Sequence, residues 1–380
     1  RRRRASRRNA LMASPFVEKK LDNLHWPLVI STGIICGLGV WNLASASRNL
    51  VSPLWQAQLW AMFLGAIAIA VSLFLDYRWL MTFAWPGYLL VLSLLLATVV
   101  HGKKVLGARR WLSVGHYQLQ PSEFLKLAII VLLARFFAKD ETGLRKGQYG
   151  LLDLWRPFLL VLVPVALVMR QPDLGTALVT FFIAMTLIMF AKVRWQSLAL
   201  LLIGGAATAV LAWNKGLKQY QKDRVLTFLN PQAYAKNQGY HAIQSVIAVG
   251  SGSFRGKGWG EGTQNQLRFL PEQHTDFIFS VWAEEHGFLF SLLLIALYAF
   301  LVIAALDVAA NARDKFGSFL CIGVAALFFW HAFINIGMVT GILPVVGVPL
   351  PLFSYGGSSV VVDLLGVGLL LNVSLRRFMF

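Results

Sequence analysis

Of the 380 residues, 57% are hydrophobic and 14% charged, while Lys and Arg outnumber Asp and Glu by 35 to 17. Soluble domains carry roughly 45–50% apolar and about 25% charged residues, so an ordinary water-soluble globule is excluded, as is a disordered chain. A formal charge of +18 would suit a nucleic-acid binder, but the cations lie between long apolar runs, which places them in membrane loops instead and excludes that partner.

The chain opens with the basic tail RRRRASRR, and no A-x-A-like cleavage site follows the first apolar run, which is therefore read as a retained span. A spanning helix needs about 20 apolar residues. Runs of that kind predict about ten spans, roughly at 24–46, 56–75, 79–99, 121–138, 154–171, 173–192, 195–213, 276–308, 316–341 and 358–376. The expected fold class is thus an all-α integral membrane protein. Residues 1–380 form a single polytopic domain, with a basic cytoplasmic tail at 1–23 and a large extracytoplasmic loop at 214–275. Cys36 and Cys321 each sit inside an apolar run, which suggests neither a disulfide framework nor a metal site. Span eight carries Glu284, Glu285 and His286 in its interior and is expected to be broken or tilted.

Lys and Arg in short loops set orientation. The tail, Arg78, Lys139, Arg145, Lys146, Lys192, Arg194, Arg313, Lys315, Arg376 and Arg377 all fall on one side, with both termini inside. One short outer loop breaks the pattern with Lys103, Lys104, Arg109 and Arg110. Cations kept on the wrong side suit either an anionic ligand at the outer surface or lipid head groups. Gln120 to Lys126 opens span four. There Pro121 suits a first helical turn, and Glu123 and Lys126 share a face, as a structural bridge or as part of a site. Gln171 to Thr176 opens span six, where Asp173 is either an N-cap or a site residue. Arg224, just past span seven, reaches either a ligand or head groups.

Within the long outer loop, Gly239 to Gly250 reads as a short amphipathic helix lying on the membrane surface, followed by glycines that permit a tight path. Then comes WGEGTQNQLRFLPEQHTDFIFSVWAEEHG, Trp259 to Gly287. Its centre sets Glu272, His274, Thr275 and Asp276 where loop becomes helix. Asp276 is a helix cap or something more; Thr275 could cap in its place. The spacing of Glu272, His274 and Asp276 is not a recognised ligand pattern, so no metal site is assigned. No GxSxG, HExxH or CxxC is present. After span nine, Gly341 to Ser359 is apolar yet holds Pro344, Pro349 and Pro351, so it cannot be one regular helix. Irregular backbone at membrane depth survives only against protein or a water-filled cavity, so this stretch is either a structural corner or the lining of a groove.

Together, Gly107 to Trp111, Gln120 to Lys126, Gln171 to Thr176, Gly239 to Gly258, Gly262 to Gly287 and Asn335 to Ser359 resemble the signature segments of the SEDS family, the integral-membrane polymerases of bacterial cell-wall glycan, in its RodA branch. The resemblance covers nearly the whole chain. It implies ten transmembrane helices with the large loop between the seventh and eighth, a bacterial cytoplasmic (inner) membrane location, and polymerisation of lipid II on its undecaprenyl pyrophosphate carrier. It also implies partnership with a class B penicillin-binding protein and other elongation-complex membrane proteins. No cofactor is assigned, and a divalent cation is left open. The catalytic aspartate of the family corresponds to Asp276. The substrate-binding residues expected with it are Arg109 or Arg110, Glu123, Lys126, Asp173, Arg224, Glu272, His274, Thr275 and Ser358. A free Asp titrates near about 3.9, and nearby cations are expected to keep Asp276 ionised, so that its basicity comes from positioning. Two other classes compete: a flippase or transporter of lipid-linked precursors, and a non-catalytic scaffold for the penicillin-binding protein. Against the first stand the absence of an internal repeat and the clustering of charges on one face.

Overall fold

The computed structural model describes residues 24–48, 53–105, 108–114, 117–140, 147–217, 219–234, 238–267, 269–270 and 272–377. The tail 1–23 and Gly107, Arg145, Lys146, Lys218, Lys236, Arg268 and Pro271 lie outside the described residues. The helices run α1 (Trp26–Ala46), α2 (Leu54–Phe74), α3 (Tyr77–His101), α4 (Pro121–Lys139), α5 (Trp155–Arg170), α6 (Leu174–Phe190) and α7 (Trp195–Leu211). They continue as α8 (Gln219–Leu229), α9 (Gln238–Ser251), α10 (Thr263–Gln266), α11 (Ile278–Ala310), α12 (Lys315–Val339) and α13 (Gly357–Arg376). Among the described residues, eight helical stretches are long and apolar enough to cross a membrane, and α4 and α6 occupy the other two predicted positions. The predicted amphipathic segment is α9, which packs against α11 and α12.

The all-α expectation holds, with one small β element beside the helices. Between α3 and α4 stands a small antiparallel sheet of order β1-β2-β3, with β1 Lys103–Val105, β2 Ala108–Val114 and β3 Tyr117–Leu119. Its register sets Leu112 against Leu119 and Lys104 against Arg109. Alternation shows in the sequence only over Leu112-Ser113-Val114, too short a stretch to announce a strand beside the run of cations.

The centre of the bundle is α12. It packs against α4, α6, α11 and α13, and Leu320, Val324, Leu327 and Phe328 are fully buried. Without water, each backbone group freed by a proline must find a partner inside the protein. Pro86 within α3 leaves the Thr82 carbonyl without its helical donor, and Arg135 of α4 donates to it at 3.1 Å. Pro164 within α5 frees the Leu160 carbonyl in the same way, and Tyr88 of α3 donates to it at 2.9 Å.

The eighth predicted span is broken, as its interior charges suggested. Gly287 interrupts α11 at φ 76°, ψ −171°. The glycine-bearing loop after α9 lies against this break and takes over its backbone bonding. Lys257 N donates to Glu284 O at 3.0 Å, Gly258 N to Glu285 O at 3.0 Å, and Phe288 N to Ser253 O at 2.9 Å. A Cβ on Gly252 would collide with the Ala283 carbonyl, and one on Gly287 with the Gly256 backbone. Two backbones approach here as closely as only glycine allows.

Candidate active site

The stretch after α12 is irregular from Ile342 to Gly356 yet largely buried, so its polar backbone groups pose the same accounting question. They are satisfied mostly by side chains. Val348 O accepts from Asn335 at 2.7 Å, Leu350 N donates to Ser354 Oγ at 2.8 Å, Pro351 O accepts from Tyr298 Oη at 2.6 Å, and Leu352 N donates to Asp363 at 3.3 Å. Gln58 holds the far end with both its groups, on Ser354 O at 2.9 Å and on Gly356 N at 3.2 Å. This re-entrant segment is a fixed wall rather than a loose loop.

The residues before α11 are fastened to that wall. Three successive carbonyls accept from it or from α12: His274 O from Tyr355 N at 2.9 Å, Thr275 O from Ser354 Oγ at 2.6 Å, and Asp276 O from Asn335 Nδ2 at 2.8 Å. With the backbone held at three points, the Asp276 side chain has little freedom of placement. It lies against Gly347, whose φ of +75° favours glycine and where an added Cβ would come within 3.1 Å of Asp276 Oδ2. The capping reading of Asp276 does not hold, because the N-cap of α11 is Phe277 and no side chain caps it.

Around Asp276 the expected charges converge. Arg110 reaches the start of α6, bonding the Gln171 carbonyl at 3.3 Å and the Pro172 carbonyl, and lies 3.8 Å from the Asp173 carboxylate. Arg109 points elsewhere, to the Val100 carbonyl at 3.2 Å; strand alternation thus decides between the two arginines. Asp173 is both cap and site neighbour, accepting from Thr176 N at 3.3 Å, Thr176 Oγ1 at 3.0 Å and Gln120 at 3.3 Å. Arg224 on α8 donates to the Val346 carbonyl at 3.0 Å, which sets its guanidinium beside Gly347. Glu272, at φ 51° and largely exposed, lies 3.9 Å from His274, and Thr275 Oγ1 bonds the Glu272 carbonyl at 3.3 Å. The His274 ring lies 5.9 Å from that of Tyr355. Among the described residues, no three His, Cys, Asp or Glu side chains gather as metal ligands.

Three expected site residues sit deeper. Lys126 and Glu123 are buried and paired at 2.8 Å, and Lys126 also meets His331 Nε2 at 2.9 Å. His331 Nδ1 faces the Pro349 carbonyl at 3.2 Å, so it carries the ring proton and Nε2 accepts from the lysine. This chain, with Asp363, supports the wall from behind. Ser358 accepts from Gln120 N at 3.2 Å and ties α13 to the start of α4. The sequence reading passed over His331, Asn335 and Asp363, although each is a polar residue inside an apolar helix, which was signal enough to flag it.

Electrostatics reverse one expectation. Burial, then the neighbouring Glu272 and Asp173 carboxylates, push Asp276 up to about 7, while Arg110 and Arg224 pull the other way. The cations do not win, because they stand near the carboxylate without touching it. Among the described residues the Asp276 carboxylate has no hydrogen-bond or ion-pair partner. Burial also lowers His274 and His241, opposed in each case by Glu272. A carboxylate that titrates near neutrality, lacks a partner and faces two cations is suited to take a proton from a neutral hydroxyl beside an anion.

Comparisons with known proteins bear on the fold and the family. The family described as Cell cycle protein (FTSW_RODA_SPOVE) matches residues 26–378. The peptidoglycan glycosyltransferase MrdB of Escherichia coli is 41% identical over 297 residues, 78% of this chain and 79% of its own. A probable peptidoglycan glycosyltransferase FtsW of Trichlorobacter lovleyi is 38% identical over 84% of this chain and 83% of its own. Among solved structures, a chain from work described as "Structural coordination of polymerization and crosslinking by a peptidoglycan synthase complex" superposes with a TM-score of 0.80 at 33% identity, covering 93% of this chain and 98% of that one. The Thermus thermophilus rod shape determining protein RodA superposes with a TM-score of 0.70 at 31% identity, with the same coverage.

Proposed function

The chain belongs to the FtsW/RodA/SpoVE family of cell cycle proteins, and on that premise we propose how its site performs glycan polymerisation. It is a peptidoglycan glycosyltransferase of cell elongation. The substrate we propose is lipid II, with the growing strand on undecaprenyl pyrophosphate as donor. Asp276 takes the proton from the 4-hydroxyl of the incoming sugar as that oxygen attacks the anomeric carbon of the donor. The bond from that carbon to pyrophosphate breaks, and the α-linked donor becomes a β-1,4 glycosidic bond by inversion. Inverting transfer needs one base, and a pyrophosphate leaving group needs cations more than a second acid. Arg110 and Arg224 fill that role. Glu272, His274 and Thr275 line the approach, while Glu123, Lys126 and Ser358 act through the wall and helix ends they hold. The observation that carries this reading is the Asp276 carboxylate, fixed by its backbone, unpartnered and raised to about 7.

The Lys/Arg bias of the loops supports a bacterial inner-membrane topology with both termini in the cytoplasm and Asp276 on the outer face. A cysteine introduced at the exposed Ser253 should react with an impermeant reagent in intact cells; protection would overturn that orientation. The structure described as a peptidoglycan synthase complex supports a crosslinking partner. We assign its single membrane helix to the outward stripe of α11 and α12, where Phe288, Leu292, Phe329 and Phe333 are exposed. Purified protein given lipid II, with no transpeptidase present, should yield glycan strands. Transbilayer movement of lipid II without glycan would favour the flippase class, and neither activity would leave a scaffold.

A further inference from the structure

At the end of the bundle opposite Asp276, the start of α3, the end of α4 and the start of α12 leave a cleft of about 470 Å³. Arg78, Lys139, Arg313 and Lys315 line it, and Asp314 is the one carboxylate among its lining residues. That carboxylate is already engaged. Its Oδ1 accepts from Gly317 N at 2.7 Å, and its Oδ2 accepts from Tyr77 Oη at 2.6 Å and lies 3.4 Å from Arg78 Nε. Lys139 and Lys315 are exposed and carry no hydrogen bond or ion pair among the described residues. Cations from three separate helices therefore converge on one hollow whose described lining holds a single carboxylate, an arrangement that favours an anion.

The surroundings say which anion. The cleft has an apolar side, Met81 and Phe316. Lys139 also borders a second hollow of about 220 Å³, whose apolar lining of Trp85, Leu132, Phe136 and Leu160 on the flank of α3, α4 and α5 is edged by Arg135 and Asp140. Trp79 and Trp85 are exposed near it, as aromatic residues are at a membrane interface. A phosphate would sit among the four cations while a chain followed the apolar flank. We propose that this cleft binds the phosphate of an anionic phospholipid in the leaflet facing away from Asp276. Basic pockets between membrane helices recognise such head groups. A free phosphate or an acidic protein segment would match the charge but leave the flanking groove unused.

The test is native mass spectrometry of the full chain in detergent, titrated with phosphatidylglycerol or phosphatidylcholine. The Lys139→Gln, Lys315→Gln double variant is measured beside the wild type. Wild type should retain phosphatidylglycerol about tenfold more strongly than phosphatidylcholine, and the double variant should lose about tenfold of that retention, with glycan polymerisation unchanged as the folding control. Should the double variant fail to fold, each single exchange is read in the same titration, with a loss of about threefold expected. Equal retention by wild type and variants would overturn the proposal. So would displacement of the lipid by equimolar inorganic phosphate, which marks a free-anion site, or capture of polyglutamate with no lipid bound, which marks a protein-docking site.

Discussion

Asp276 and Glu284 lie two turns apart at the head of the same broken helix, and their surroundings are opposites. Glu284 is fully buried and saturated: Lys257 Nζ donates at 2.6 Å, Thr263 Oγ1 at 3.0 Å, Gln264 N at 3.2 Å and Ser251 Oγ at 3.3 Å. Asp276 has its backbone pinned and its carboxylate left alone. Asp276 is half-buried, and a carboxylate drawn partly out of water without partners costs free energy, which a fold tolerates where the missing partner is a substrate. Glu284 is how the chain spends a carboxylate on structure; Asp276 is how it keeps one for chemistry.

The largest test of this contrast is to neutralise each group. Asp276→Asn should lower polymerisation of lipid II by about 100- to 10,000-fold while leaving a folded, substrate-binding protein. Glu284→Gln should instead strand the Lys257 ammonium and lose activity only in proportion to folded protein, read as a lower thermal transition. If Asp276→Asn polymerises at the wild-type rate and Glu272→Gln does not, the base is Glu272. Next in size is pH. With Asp276 raised to about 7, kcat should climb about tenfold per pH unit below that value and level off above it; a flat profile from pH 5.5 to 8 would remove the assignment.

Exchange of Arg110 or Arg224 for Gln should cost about tenfold in kcat/KM, the scale of one lost charged contact. It should also move the acid limb toward alkaline pH, since each arginine favours the ionised aspartate. A loss of rate without that movement would mean the arginines act on the leaving group alone. The smallest effects concern stability. Lys257→Met should cost about 1–3 kcal/mol with the pH limb unmoved. Asp276→Asn should go the other way. Because the folded state raises this carboxyl above the 3.8 of the free group, ionising it opposes folding increasingly as pH rises from about 4 to 7. The Asn variant should therefore melt higher than wild type at pH 8 and equally at pH 3.5.

Most helices were legible from apolar runs, because lipid forces each span to declare its length. The break in α11 was legible too, since Glu284, Glu285 and His286 could not sit in an unbroken lipid-facing helix. The sheet at 103–119 was not, because strand alternation in three short pieces is weak beside a run of cations. The site was legible as a set of residue types but not as a geometry. The sequence showed Arg109 and Arg110 side by side, and only the strand pleat separated their directions. It left Lys126 as a bridge to Glu123 or a site residue, and pairing with Glu123 and His331 draws it inside. It could not foresee that burial and two carboxylates would outweigh two arginines at Asp276, because that balance depends on distances between four separate stretches of the chain.

The break at Gly287 has a bearing on biosynthesis. A carboxylate in a spanning helix disfavours membrane insertion, by about 2.5–3.5 kcal/mol at the helix centre, and this segment carries two in succession near its head. Every donor that Glu284 and Glu285 use is earlier in the chain: Ser45 for Glu285 at 2.6 Å, then Ser251, Lys257, Thr263 and Gln264 for Glu284, and Asn265 again for Glu285 at 3.4 Å. When the ribosome delivers the acidic pair to the membrane, the groups that will satisfy it have already been made. The order of synthesis thus spares the eighth span a wait in lipid with two unmet charges.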